Sequence, residues 1–370
     1  DETGVSIVKV LFCVRHNFHD SPGGAQVQIL KTKEYLEKTG VICDLVVTPD
    51  NIDFDQYDIV HLTDLTWVYD LLVYLKKLKS YKGKKILSTI YWPFDDYASN
   101  GAPWLQKLIF KFFGINGFEY AKALAKYVLQ KEPVYLQGLK QSYIQNQINI
   151  VKGVDWLLPN SRMEMDALNN RLGLQQVNFT VVHNAIDTTL FDTILADNKI
   201  EKRDDLITFV ARIDFRKNQL AFLEAMQETS YKIRFIGNAG PNSQKYYETL
   251  RQKAQRRGNV EFISHITQEE VFKHMMEAKV NVLTSWIETP GLVSLEAGYA
   301  GCNIVVTDKG SVRDYFKDFA FYCMPDDVQS IKEQTVKAME SEFDEGFRSL
   351  IKSDFDWSNT AQQTLEAYQK

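Results

Sequence analysis

Short apolar runs rich in β-branched residues punctuate this chain at 8–14, 41–47, 57–62, 85–89 and 156–159, with amphipathic stretches between them. A second series occupies 206–210, 233–237, 260–264, 280–284 and 303–307. Runs that are apolar at every position, rather than at alternate positions, predict strands buried on both faces. Such strands separated by helices build parallel sheets. Two series therefore predict two doubly wound, Rossmann-like α/β domains facing across a cleft, each binding ligands beyond the carboxyl ends of its strands. The charged run Ala196-Asp-Asn-Lys-Ile-Glu-Lys-Arg-Asp-Asp205 places a linker within 184–205, so the first domain is expected over 1–184 and the second over 185–352. One long insertion, at about 101–150, interrupts the strand rhythm of the first domain with helical composition.

Composition adds constraints. A chain of 370 residues, 45% hydrophobic and 25% charged, has enough material for two cores. Its net charge of -5 gives no general attraction to nucleic acid, so any anion site must be local. Cys13, Cys43, Cys302 and Cys323 lie far apart with no C-x-x-C pair and read as reduced core thiols. The opening Asp1-Glu2-Thr3 carries no basic and apolar leader, and no apolar run approaches the ~20 residues of a spanning helix, so a cytoplasmic protein is expected.

The most specific chemical signal is Trp286-Ile-Glu-Thr-Pro-Gly-Leu-Val-Ser-Leu-Glu-Ala-Gly298. It follows an apolar run and contains Glu288 and Glu296 with seven residues between them. Thr289, Pro290 and Gly291 form a turn, and a helix starts near Leu292 or Val293. Free amides at such a start suit a sugar diphosphate. Glu288, before the turn, can accept from sugar hydroxyls, and Glu296, a turn into the helix, can hold a ribose diol. In Phe209-Val-Ala-Arg212-Ile-Asp-Phe-Arg216-Lys217, a buried strand ends in cations. Arg212 and Lys217 are placed to stabilise the negative charge of a leaving nucleoside diphosphate, with Arg216 a solvated neighbour. A third feature, Ser21-Pro-Gly-Gly-Ala25, offers Gly23 and Gly24 before an amphipathic helix, where backbone can approach a phosphate or an acceptor. It lacks the dinucleotide and P-loop patterns.

With these residues in hand, the chain resembles the retaining GT-B glycosyltransferases of the large family four along nearly its whole length. The resemblance runs through the Gly-Gly loop, Val182-His-Asn-Ala-Ile-Asp187 and Phe191, Ala211-Arg212 to Lys217, and Ile236-Gly-Asn-Ala-Gly-Pro241. It continues through Val260-Glu-Phe-Ile-Ser264, the E-x7-E segment, and a final helix over 353–370 that in the family returns to the first domain. It implies transfer of a sugar from a UDP-, GDP- or dTDP-linked donor, with retained anomeric configuration, to a glycan, lipid-linked or other hydroxyl acceptor bound by the first domain. Bacterial-type cell-surface polysaccharide or glycoconjugate synthesis is the implied setting. By matching positions, Arg212 and Lys217 grip the diphosphate, Glu288 and the amides of Gly291, Leu292 and Val293 the sugar and phosphate, and Glu296 the ribose. The backbone near Ile263 meets the base, and Gly237 is a further donor-binding position. Relatives carry a His soon after the fourth strand, where this chain reads Ser88-Thr-Ile-Tyr91, so Tyr91 is the candidate for that place, either as a donor to the sugar or as an aromatic wall.

Three rivals share parts of this pattern. A metal-dependent transferase would use a D-x-D, offered by Asp53-Phe-Asp55 and Asp354-Phe-Asp356, but both are expected in connections remote from Arg212, so no metal or other cofactor is expected. A nucleotide-sugar epimerase of the same build, or a silent sugar-nucleotide-binding scaffold, remains open. In the insertion, Trp104, Phe110, Phe112, Phe113, Phe118, Tyr120, Tyr127 and Tyr135 interleave with Lys107, Lys111, Lys122, Lys126, Lys131 and Lys140, opposed only by Glu119 and Glu132. That mixture predicts either peripheral contact of 101–145 with the inner face of a membrane, or a helical pair packed on its own domain.

Overall fold

Both apolar series become parallel sheets. The structure, a computed structural model, describes residues 8–20, 23–125 (backbone alone at 122–125), 140–240 and 243–370. The first sheet takes β1 (Lys9–Cys13), β2 (Ile42–Val46), β3 (Ile59–Thr63), β4 (Lys84–Ser88) and β5 (Trp156–Leu158), in the order β2-β1-β3-β4-β5. Around it lie α1 (Gly24–Lys38), α2 (Val68–Lys77), α3 (Trp104–Ala125), α4 (Tyr143–Lys152) and α5 (Arg162–Leu172). Leu11 and Cys13 of β1 enter one core, while Val10 and Phe12 enter another on the opposite face. This two-sided burial is why the run is apolar at every position.

The second sheet follows α6 (Thr188–Asp197) and contains β6 (Arg203–Val210), β7 (Lys232–Ile236), β8 (Val260–Ile263), β9 (Ala278–Leu283), β10 (Asn303–Thr307) and β11 (Ala320–Cys323). Its helices are α7 (Gln219–Ala225), α8 (Gln244–Arg257), α9 (Gln268–Glu277), α10 (Leu292–Tyr299), α11 (Val312–Phe316), α12 (Val328–Glu340) and α13 (Glu345–Asp354). The order β11-β10-β9-β6-β7-β8 reverses direction between β6 and β9. The last helix is α14 (Trp357–Gln369), which packs on α1 and places the Tyr368 hydroxyl in a hydrogen bond with His61 Nδ1 at 2.7 Å.

Contacts divide the chain into two compact units. One holds the described residues of Asp1–Pro93, Leu108–Asn184 and Trp357–Lys370; the other holds Phe94–Lys107 and Ala185–Asp356. Residues expected to form a linker are largely structured, since α6 buries Phe191 and Ile194. Among its described residues the insertion is chiefly α3, broken at Gly114 (φ 61), and α4. Lys126, Tyr127, Lys131, Glu132 and Tyr135 lie outside the described residues, as does the side chain of Lys122. All four cysteines are buried and unpaired. Burial pushes the Cys43 and Cys323 thiols up to about 12 and Cys302 to about 11.

Candidate functional site

In an open α/β sheet, the loops on either side of the reversal in strand order diverge and leave a crevice. In the second unit those are the loops after β6 and β9, which carry the cationic and the E-x7-E motifs respectively. The two motifs meet. Lys217 Nζ donates to Glu288 Oε1 across 71 residues of sequence, and both side chains are largely buried. Arg212 Nε donates to Asp214 Oδ2 at 2.7 Å, and the other Asp214 oxygen accepts from the Lys217 amide at 3.1 Å. Asp214 therefore ties the two cations into one loop. The Arg212 side chain keeps 46% of its surface exposed, so its guanidinium can still meet a ligand.

Glu288 is fixed through its backbone. Its amide donates to Lys309 O and its carbonyl accepts from Ser311 N, both at 3.1 Å, forming a bridge between Glu288 and Gly310. The approach is so close that a Cβ on Gly310 (φ 106) would stand 1.9 Å from Glu288 O. Gly237 is confined likewise: its φ is 144, a Cβ there would stand 2.1 Å from Ala211 O, and its amide donates to Ile263 O at 2.8 Å. These two contacts set the floor of the site. Above it, the cis Thr289–Pro290 peptide leads to Gly291, which caps α10, so the amides of Leu292 and Val293 open that helix beside the Glu288 carboxylate. Ser285, Ser294 and Ser311 are fully buried beneath, and their hydroxyls make no hydrogen bond within the protein.

Glu296 lies one turn into α10 and accepts from Gln268 Nε2 at 2.8 Å. Burial raises its carboxyl to about 7, with the Gln268 hydrogen bond opposing the rise.

Several neighbours had no signal in the sequence. Residues 94–107 join this unit: Asp96 pairs with Lys309 at 2.9 Å, and Gly101 lies flat on the Trp286 ring, where a Cβ would stand 2.6 Å from it. Burial raises the Tyr97 phenol, Asp214 adds to the rise, and Arg216 and Arg212 oppose it. Arg216 departs from its expected place in solvent. It is half-buried, its Nε makes no hydrogen bond, and its carbonyl accepts from Trp286 N at 2.9 Å.

The first unit has its own cluster at the corresponding edge, on the loops after β1 and β3. His16 Nδ1 stands 2.8 Å from Asp70 Oδ1, which also accepts from the His16 amide, and the Arg15 guanidinium lies 4.6 Å over the Trp67 ring. Burial raises the nearby Asp64 carboxyl to about 6. An imidazole held by a carboxylate can take a proton from a hydroxyl. Gly23 and Gly24 open α1 as read from the sequence; a Cβ on either meets nothing within 4 Å, so the pair leaves the helix start uncovered rather than relieving a clash. Ser21 and Pro22 lie outside the described residues. Tyr91 is a core residue, 5% exposed, and its amide donates to the buried Glu164 at 3.0 Å. A ring sunk in the core is poorly placed to touch a donor sugar. The D-x-D pairs do local work: Asp53 caps the turn Phe54–Gln56, and Asp356 accepts from Thr188. Among the described residues no three His, Cys, Asp or Glu side chains gather as a metal site.

Residues 191–363 match the family described as Glycosyl transferases group 1. Alpha-maltose-1-phosphate synthase of Mycolicibacterium smegmatis is 24% identical over 237 residues, covering 57% of this chain and 61% of that protein. D-inositol 3-phosphate glycosyltransferase of Nocardioides is 23% identical over 253 residues, 60% of this chain and 55% of that one. The chain thus spans little more than half the length of the curated relatives it matches. Among solved structures, sucrose-phosphate synthase of Thermosynechococcus elongatus superposes with a TM-score of 0.73 at 13% identity over 98% of both chains. Anabaena Alr3699/HepE in complex with UDP-glucose gives 0.63 at 14% identity, covering 97% of this chain and 98% of that one. At such identities the structural likeness speaks for the fold, which is that of the GT-B glycosyltransferases. The stretch from α6 into α14 thus resembles the Glycosyl transferases group 1 family, and the chain has the fold of the GT-B glycosyltransferases.

Proposed function

We propose that this protein transfers a sugar, with retention of anomeric configuration, from a nucleoside-diphosphate donor to a hydroxyl acceptor in glycan or glycoconjugate synthesis. The observation that carries the proposal is the Lys217–Glu288 pair at the strand-order reversal of the second unit. Its ammonium faces the diphosphate while its carboxylate accepts from sugar hydroxyls. As the glycosidic bond breaks, charge grows on the diphosphate, and Arg212, Lys217 and the amides of Gly291, Leu292 and Val293 stabilise it more than they stabilise the bound donor. Glu296 holds the ribose diol, and the backbone at Gly237 and Ile263 borders the base. The acceptor hydroxyl is handled by the first unit, where His16 and Asp70 stand ready to take its proton. The UDP-glucose complex among the structural neighbours supports a nucleotide sugar as the donor class.

Because the cations here are side chains, transfer is expected to survive EDTA with turnover unchanged within about twofold. A proton NMR assay run across UDP-, GDP- and dTDP-sugars reads donor, metal requirement and anomeric outcome together. Loss of activity on chelation, restored by manganese, would sink the metal-independent reading; an inverted product would sink retention; an epimerised donor would replace transfer itself.

The raised Glu296 carboxyl gives a pH signature. Its folded value of about 7 lies above the unfolded value, so the proton it holds favours the folded state at acid pH, and that contribution is lost as pH rises through about 7. Donor binding runs the other way, since a diol donates to the ionised carboxylate. Affinity is expected to weaken by up to roughly tenfold per pH unit below 7. Glu296→Gln should weaken binding at pH 8 and flatten that dependence; an unchanged slope would remove Glu296 from the ribose.

A further inference from the structure

The first half of α3 carries large apolar side chains that the fold leaves uncovered. Trp104 is 76% exposed, Phe112 and Phe113 are each 70%, Leu105 is 53% and Leu108 is 44%. At helical spacing Trp104, Leu105, Leu108 and Phe112 share one side, with Lys107 and Lys111 along its border. The inner side holds the segment to the protein, where Phe110 meets the buried Phe118 edge-to-face at 6.1 Å. Gly114 interrupts the helix immediately afterwards, so the exposed stretch is a discrete ten-residue segment from 104 to 113, with Phe113 exposed at its end beside the shared side. No acidic residue occurs between Trp104 and Phe118 in a chain whose net charge is -5.

We propose that residues 104–113 form a docking surface for an anionic lipid interface. Trp and Phe favour the boundary between headgroups and acyl chains, and lysine stems lie along the apolar plane while their ammonium groups reach anionic headgroups. A second copy of this chain is a poorer occupant, because an isologous pairing through this face would gather Lys107 and Lys111 of both copies in one interface with no acidic residue between Trp104 and Phe118 to offset them. Among the described residues no helix is long and apolar enough to cross a membrane, so attachment through this segment is peripheral. The proposal stands apart from the sugar-transfer reading, since neither the lysines nor the exposed rings belong to the donor site.

The test is co-sedimentation of the full chain with vesicles of one-third phosphatidylglycerol in phosphatidylcholine, against vesicles of phosphatidylcholine alone. Binding is expected only with phosphatidylglycerol and should fall as salt is raised. It should drop roughly tenfold for Phe112→Ser with Phe113→Ser, and by a similar factor for Lys107→Glu with Lys111→Glu. Lys111, Phe112 and Phe113 are exposed and Lys107 is half-exposed, so the thermal melt and nucleotide-sugar binding should stay as in the parent protein, which separates lost docking from lost fold or lost chemistry. No sedimentation with anionic vesicles at low ionic strength would overturn the proposal. So would sedimentation that the variants leave intact. A concentration-dependent dimer in analytical ultracentrifugation, abolished by the phenylalanine changes and present without vesicle binding, would assign the face to a second copy instead.

Discussion

Replacing Lys217 with Ala is expected to lower turnover by about 10²–10³ while the protein remains folded, because the lost charge acts most strongly when the diphosphate is leaving. The same change strips Glu288, whose side chain is only 9% exposed, of its cation, so stability should fall too, on the order of 1–3 kcal/mol. A double-mutant cycle separates the two effects. Adding Glu288→Ala removes the stranded carboxylate and should restore part of the thermal stability, yet it should restore none of the activity. Activity that returned together with stability would mean that the pair is a structural brace. Arg212→Ala strands Asp214, which is buried to a similar degree but keeps its hydrogen bond from the Lys217 amide, so turnover should fall by about 10²-fold with a loss of stability no larger than that of Lys217→Ala.

Gly310→Ala is the second large effect, and no ligand contact enters its argument. The new methyl would stand 1.9 Å from Glu288 O at a φ of 106, so the bridge that holds Glu288 must separate. The cost is expected at roughly 2–4 kcal/mol, and turnover should fall by at least about tenfold as the carboxylate loses its place. Gly173→Ala is the control. Its φ of 62 is also positive, in the left-handed helical region, but a Cβ there meets nothing within 4 Å, so only the backbone penalty of about 1 kcal/mol applies and activity should persist. Equal melting and activity in the two variants, read by calorimetry and by donor turnover, would contradict the close approach at Gly310.

The contrast between these two glycines shows what the sequence could and could not disclose. Apolar runs rich in β-branched residues mark ten of the strands; central ones such as β1, β3, β9 and β10 are buried at nearly every position, while the edge strands β2 and β8 each keep an exposed acid. β11, also at a sheet edge and half-buried at Ala320, Phe321 and Tyr322, carries no β-branched residue to mark its run. The charged stretch at 196–205 is in part the short irregular connection between α6 and β6; the helix just before it, Thr188–Asp197, is marked in sequence by little more than Phe191 and Ile194 on its inner face. At the site, both motifs were visible from residue types and spacing, whereas their contact required the sheet order that brings β6 beside β9. Asp214 is an ordinary acid in sequence; only the loop shows that it joins Arg212 to Lys217. The Gly310 constraint had a faint signal, a glycine between a buried strand and a helix, but the carbonyl it makes room for is 22 positions away. Tyr91 shows the converse, since an aromatic after a strand looks the same in sequence whether it lines a cleft or, as here, packs in the core.

The claim that everything else rests on is that the loops after β6 and β9 form a site for a sugar nucleotide. Isothermal titration calorimetry of the whole chain with UDP-, GDP- and dTDP-sugars addresses it without needing the acceptor. One nucleotide series should bind at one site per chain, with affinity lowered by roughly tenfold or more in both Lys217→Ala and Glu296→Ala. Absence of binding by every donor and by the free nucleoside diphosphates, or binding that both substitutions leave untouched, would contradict it.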